Sequence, residues 1–277
     1  MVQQFLEEVC ALKVRIKFSK AGSMKFIGHL DVMRYFQKAI RRSGLDVAYS
    51  QGFNPHQLIS FAAPLGVGLT SDGEYMDVQM NGSYSSKEAL ERLNAVMNQE
   101  IQVKSYVELD EGSKNAMSIV AAADYCISVK DGYPFLEQYE QKFDDFLTQK
   151  EIIIRKKTKK SEKEMNVKPY IYQVAYTEKD FEEKTGSKVD HTVADIYDNG
   201  CKIYMQIATG SVVNIKPEVI MEAFCKYAGI AYEPFAYQVH RREVYADLNA
   251  DTKVEVEKYG KKRNLVTLES FGHVIEG

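Results

Sequence analysis

The chain reads as an α+β protein built from two successive β-α-β-β-α-β halves, the second enlarged by an extra strand and an insertion. Three observations predict this. Segments of strand period and helix period follow one another in that order over residues 13–109, which is the ferredoxin-like pattern. The order starts again at residue 123, after a connector at 110–122. The length, 277 residues with 45% hydrophobic content, suits two domains of ordinary size.

Taken in order, residues 13–18 (KVRIKF) alternate and predict a strand. Residues 29–43 predict a helix, with Leu30, Met33, Phe36 and Ile40 on one face and Val32 and Ala39 flanking them. Asp31 complements the positive helix end, and Gly44 suits the left-handed residue that closes a helix. Strands are expected around 57–62 and at 73–80, then a helix at 86–98 capped by Ser85 or Ser86, then a strand at 101–109. In the second half, strands are expected at 123–130, 151–158, 168–177, 202–209 and 235–246, with helices at 133–149 and 217–229. Three regions fall outside the repeat: an extension at 1–12, a polar stretch at 178–200 expected to protrude or be partly disordered, and a loosely attached polar tail at 247–277.

Composition narrows the function classes. The net charge of −3 makes any nucleic-acid surface local, not global. No apolar run approaches the ~18 residues of a membrane span, and the first residues lack a basic-then-apolar leader, so a cytoplasmic location is expected. Cys10, Cys126, Cys201 and Cys225 are far apart, with neither a CxxC pair nor a CxxxCxxC run. They are read as reduced thiols, and no metal, iron-sulfur cluster or other cofactor is expected.

The densest concentration of chemistry is Ser19–Pro64. Arg34, Lys38 and Arg41 share one helix face and, with Lys20 and Arg42, are read as nucleic-acid-binding candidates, the alternative being an ordinary solvated face. The following loop, SQGFNPH, offers Ser50, Asn54 and His56 for phosphate or base edges, and Phe53 either to stack on a base or to pack in the core. Residues 155–163 (RKKTKKSEK) hold six Lys or Arg, including Arg155, Lys156, Lys157, Lys159 and Lys160. They lie between two strands, as a basic hairpin end that either tracks phosphate or serves solubility. Thr209, Gly210, Ser211, Asn214 and Lys216 lead into a helix start as an anion-binding loop or an ordinary cap. Catalytic patterns are weak: His29 and His56 are acid-base candidates, while His191 and His240 have no evident partners.

Residues 14–80, from VRIKFSKAGSMKFIGHLDVMR to EYMDVQM, resemble the opening of the radical SAM-linked proteins, a bacterial family of unknown function. NVKPYI (166–171) and ATGSVVNIKPEVIMEAF (208–224) are similar to its later motifs. The resemblance implies the stand-alone form, with a separately encoded radical SAM enzyme as partner, and it assigns no catalytic residue. Paired halves with basic hairpins are also similar to the RNA-processing endonucleases of CRISPR systems, at fold level only. The expected function is a non-catalytic RNA-binding accessory of a radical SAM enzyme, with transfer or ribosomal RNA as the target. The alternatives are an RNA endonuclease or RNA-modifying enzyme using His29 or His56, and a docking scaffold without RNA contact.

Overall fold

In the computed structural model, which describes residues 12–157, 162–250 and 263–277, the first half runs β1 (Leu12–Lys20), α1 (His29–Ser43), β2 (Ile59–Phe61), β3 (Thr70–Met80), α2 (Ser86–Val96) and β4 (Val103–Leu109). A short helix α3 (Ala116–Ile119) leads into β5 (Val120–Val129), α4 (Tyr139–Thr148), a hairpin of β6 (Ile153–Lys157) and β7 (Glu162–Asn166), and β8 (Ile171–Ala175). Then follow α5 (Glu178–Thr185), β9 (Lys202–Ala208), α6 (Pro217–Ala228) and β10 (Tyr237–Asp247). Two short strands, β11 (Leu265–Thr267) and β12 (Gly272–His273), end the described chain.

The halves are joined in one mostly antiparallel sheet of ten strands, ordered β12-β4-β1-β3-β10-β5-β9-β8, with β2 beside β3 and β11 beside β10. The join is its one parallel pairing among the described residues, where β3 meets β10 at Thr70–His240 and Ser71–Arg241. Backbones approach so closely there that a Cβ on Gly73 would lie 2.9 Å from the Arg242 carbonyl oxygen. Glycine is the residue that permits this approach.

Each half has its own apolar core. Beneath α1, Phe18, Phe36 and Phe61 pack edge to face, with centroids 4.6–6.0 Å apart. Beneath α4 and α6, Phe143, Phe146 and Phe224 form a second trio at 4.8–5.8 Å. The buried face of α1 is Val32, Phe36, Ala39 and Ile40. Leu30, expected inside, lies in the first turn beyond the sheet and is 60% exposed.

Three expectations are corrected. The helix expected from 133 starts at Tyr139, because Gly132 at φ 84° and Pro134 hold the preceding chain in a turn. The 178–200 stretch is packed. Thr177 caps α5 by accepting from the Asp180 amide, Gly186 at φ 72° closes it, and Phe181 is fully buried against Tyr204. Beyond α5, the Val193 amide donates to Asp72 at 2.8 Å and Asp195 pairs with Lys25 at 2.6 Å. The tail from residue 263 is docked, not loose. β11 lies on β10, β12 lies on β4, and Leu268 is fully buried, with its carbonyl accepting from Arg15 at 2.9 Å. The former connector is likewise structured, holding α3 and the start of β5.

Candidate nucleic-acid interface

Helix α1 and the hairpin after it form one surface. Gly44, at φ 72°, stops the helix and turns the chain toward the sheet. Residues 47–50 then return against 56–58, with Tyr49 opposite Gln57 and the Ser50 amide donating to His56 O at 2.8 Å. Ser50 Oγ reinforces the tip by accepting from the His56 amide at 3.1 Å and lying 2.8 Å from His56 Nδ1. Gln57 clamps the hairpin to the helix, donating to Gln37 O and to the Tyr49 hydroxyl, both at 3.3 Å. Gly52 sits at the tip with φ 111°, which a side chain would strain.

Phe53 projects from this tip at full exposure, so its ring is not part of the core. On α1, to which the hairpin is tied at Gln37, Arg34, Lys38 and Arg41 are exposed on the outer face. Arg34 lies 3.3 Å from Asp31, an exposed pair one turn apart. Lys38 and Arg41 have no ion-pair or hydrogen-bond partner among the described residues. Arg42 is committed: it donates to Val96 O at 2.5 Å, satisfying a carbonyl at the end of α2.

Lys20 does not belong to this surface. It is buried, and its ammonium bonds to Lys25 O at 3.4 Å and Ile27 O at 3.1 Å. Burial lowers its pKa, with Glu74 opposing that shift. It braces the 3-10 turn of Gly22–Phe26 before α1. His29 packs edge-on to Phe61 at 5.1 Å, and His56 closes the hairpin, so both have structural duties. No group of three metal-capable side chains occurs among the described residues.

The basic hairpin forms as β6 and β7. Its register sets Arg155 opposite Glu164 and Lys157 opposite Glu162, so acidic residues offset part of the run. Arg155 lies 3.5 Å from Glu164 on the surface. Lys156 and Lys157 are placed here by backbone position alone, and Lys159 and Lys160 lie outside the described residues. The loop before α6 is not gathered into one cradle. Thr209 is buried, Gly210 presses on the Val120 carbonyl, and Ser211, Asn214 and Lys216 are exposed along the loop. Glu218 already places a carboxylate in the first turn of α6, where the helix dipole favours one.

Reading by sequence missed the ionic seam between the halves. His240 does have partners: its ring nitrogens lie 2.8 Å from Thr70 Oγ1 and 2.8 Å from Asp72 Oδ2. Arg241 forms a fork onto Glu74 and reaches Ala63 O, while next to the seam, within the second half, Arg242 pairs with Glu178 and Glu182. Lys17 bridges Glu243 at 2.7 Å and Glu269 at 2.9 Å, and the Tyr75 hydroxyl donates to Glu243 at 2.8 Å. Burial pushes Glu243 above the usual carboxylate range, against the pull of Lys17. Desolvation disfavours the Lys17 charge, yet Glu243 and Glu269 together raise its pKa. A cavity of about 330 Å³ opens over this floor, with Lys104, Lys188 and His191 at its edge. The available signal was charge density inside strand-like segments, TSDGEYMD and HRREVY, where a buried sheet centre is ordinarily apolar.

Residues 13–217, about three quarters of the chain, match the family described as an uncharacterized protein conserved in bacteria (DUF2344), and the chain belongs to that family. No curated protein matches the chain. No helix among the described residues is long and apolar enough to cross a membrane.

Proposed function

We propose that this member of the DUF2344 family is a non-catalytic RNA-binding protein that works beside a separately encoded radical SAM enzyme in the modification of transfer or ribosomal RNA. One observation carries the RNA part. A fully exposed phenylalanine stands on a hydrogen-bonded hairpin tip, beside a helix face whose Lys38 and Arg41 have no protein partner among the described residues. An exposed aromatic ring next to unpaired cations is what a stacking base and its phosphates require. The radical SAM partner rests on the sequence resemblance alone. The accessory role is supported by the two acid-base candidates near α1: His29 packs edge-on to Phe61, and His56 is engaged by Ser50 in closing the hairpin. We also read each half as ferredoxin-like, because each arranges its own strands in the order fourth, first, third, second.

A second reading, docking of a protein partner, is favoured by Phe26, Leu30 and Val67, which are 66%, 60% and 60% exposed. The segments of Phe26 and Val67 meet where the Gly68 amide donates to Lys25 O at 2.7 Å. RNA affinity measured over a salt series decides between the readings. Salt-dependent binding by the wild type is expected, weakened in the Arg34→Glu/Arg41→Glu variant across unrelated sequences. Wild-type binding no stronger than that of an unrelated protein of the same net charge, −3, refutes the RNA reading and moves docking to first place.

A further inference from the structure

We infer that the α1 surface takes a single strand that crosses the helix, with one base on Phe53 and another in a notch floored by Tyr35. This deepens the RNA reading above and rests on it. The notch encloses about 340 Å³ on the opposite flank of α1 from the hairpin, lined by Tyr35, Lys38, Arg41 and Arg42. Helical geometry separates the two flanks. At about 100° per residue, Tyr35 and Gln37 point some 200° apart around the axis. The hairpin bearing Phe53 is clamped at Gln37. Lys38, Arg34 and Arg41 fall between the flanks, on the crest.

The notch is built in advance. The Tyr35 hydroxyl accepts from the Asn98 amide at 2.5 Å, and its ring meets Phe36 edge-on at 6.0 Å, so the ring is held from both ends. Arg42 is drawn away to Val96 O, which leaves its apolar stem along the notch wall. The remaining cations, Lys38 and Arg41, line the notch with Tyr35 and have no ion-pair or hydrogen-bond partner among the described residues.

Two aromatic platforms on opposite sides of a cationic crest demand bases that are splayed apart while the phosphates run between them. A duplex keeps its bases paired and stacked inside, so it can meet the crest but neither platform. The ligand class is therefore a single strand. Stacking on two rings, with no carboxylate or amide side chain lining the notch, makes recognition tolerant of base identity.

The chain contains no tryptophan, so Tyr35→Trp and Phe53→Trp each give a single fluorescent reporter. The probe is an oligoadenylate of about 12 nucleotides, free or annealed to oligouridylate, within the site sizes such surfaces cover. We expect the free strand to quench both reporters and the duplex to quench neither. Tyr35→Leu should weaken binding of the free strand about 5- to 150-fold, the loss expected for one stacked base. Tyr35→Phe, which keeps the ring and loses the bond to Asn98, should retain affinity even if its melting temperature falls. Wild-type affinity in Tyr35→Leu, with binding lost in Arg34→Glu/Arg41→Glu, overturns the notch and leaves the RNA reading standing. Equal quenching by the duplex overturns the single-strand assignment. Absence of salt-dependent binding by the wild type overturns both.

Discussion

The molecule carries two clusters of cationic side chains that look alike in the sequence and differ in almost every physical respect. On α1, Arg34, Lys38 and Arg41 stand in solvent, and two of them lack partners among the described residues. In β10, His240, Arg241 and Arg242 are each 3% exposed and matched by Asp72, Glu74, Glu178 and Glu182. A buried cation costs several kcal/mol of desolvation unless partners compensate it, so the seam must be closed to be tolerated. An exposed cation costs almost nothing to leave unpaired, so it remains free to meet an outside anion. The difference suits the seam to holding the halves together, and it leaves α1 as the surface on which the proposed binding is to be tested. The backbone supports that division, because the halves share only two paired positions between β3 and β10. Side-chain ions, the packing of Ala62 and Tyr75 into the second half's core, and the straps at 187–199 and 263–277 add to the join.

The largest expected effect tests the seam. Arg241→Met leaves Glu74 buried without its guanidinium and should destabilise the protein by about 3–5 kcal/mol, read by chemical denaturation. Adding Glu74→Leu should restore much of that loss, since an apolar pair of similar volume needs no ionic compensation. If the single variant melts like the wild type, the seam does not hold the halves as described.

Next in size is the same comparison from the other side. Phe53→Ala should cost about 1–3 kcal/mol of RNA affinity and leave the melting temperature unchanged, because the ring touches no core. A drop in melting temperature with unchanged affinity would return Phe53 to a structural role. Smaller still is the electrostatic contribution of each arginine. In Arg34→Glu/Arg41→Glu the slope of log affinity against log salt should flatten by ~0.7 per lost phosphate contact. An unchanged slope would place the phosphates elsewhere, with the β6–β7 hairpin the next region to test.

How much of this was legible in the sequence follows the same divide. The α1 stripe and the closing Gly44 were readable, because local spacing and turn chemistry determine them. The full exposure of Phe53 was not, since an aromatic ring in a turn ordinarily packs inside. Lys20 misled, since nothing local distinguishes a surface lysine from one folded back onto the carbonyls of Lys25 and Ile27. The attachments of 178–200 and of the tail were invisible for a related reason. They depend on single apolar anchors, Phe181 and Leu268, and on bonds to residues over a hundred positions away, such as Val193 to Asp72 and Leu268 to Arg15. The pairing of His240 with Thr70 and Asp72 spans a similar distance, and no periodicity encodes it.

The last expected effect is a pH dependence on the buried side of the comparison, inside the second half. Asp124 is fully buried, and burial pushes its carboxyl up to about 6, although Tyr245 and Gln206 stabilise the ionised form. The Tyr245 hydroxyl lies 2.7 Å from Asp124 Oδ2, and Gln206 donates to Oδ1 at 3.0 Å. An unfolded chain loses this proton near its ordinary value of 3.8, so between about 4 and 6 the folded protein holds more protons than the unfolded one. Stability contributed by Asp124 is therefore present at low pH and lost as pH rises through that window. Glu243, also raised by burial, slopes the same way, whereas Asp72 works below its ordinary value with the opposite sign: burial would raise it, but His240, Val193 and Thr192 hold it down. Asp124→Asn removes one titration and leaves the other two. The difference in melting temperature between variant and wild type should shift in the variant's favour from pH 4 to pH 7. The α1 variants should show no such shift, since they leave Asp124, Glu243 and Asp72 untouched. A constant difference for Asp124→Asn across that range would mean that Asp124 is ionised in the folded protein throughout.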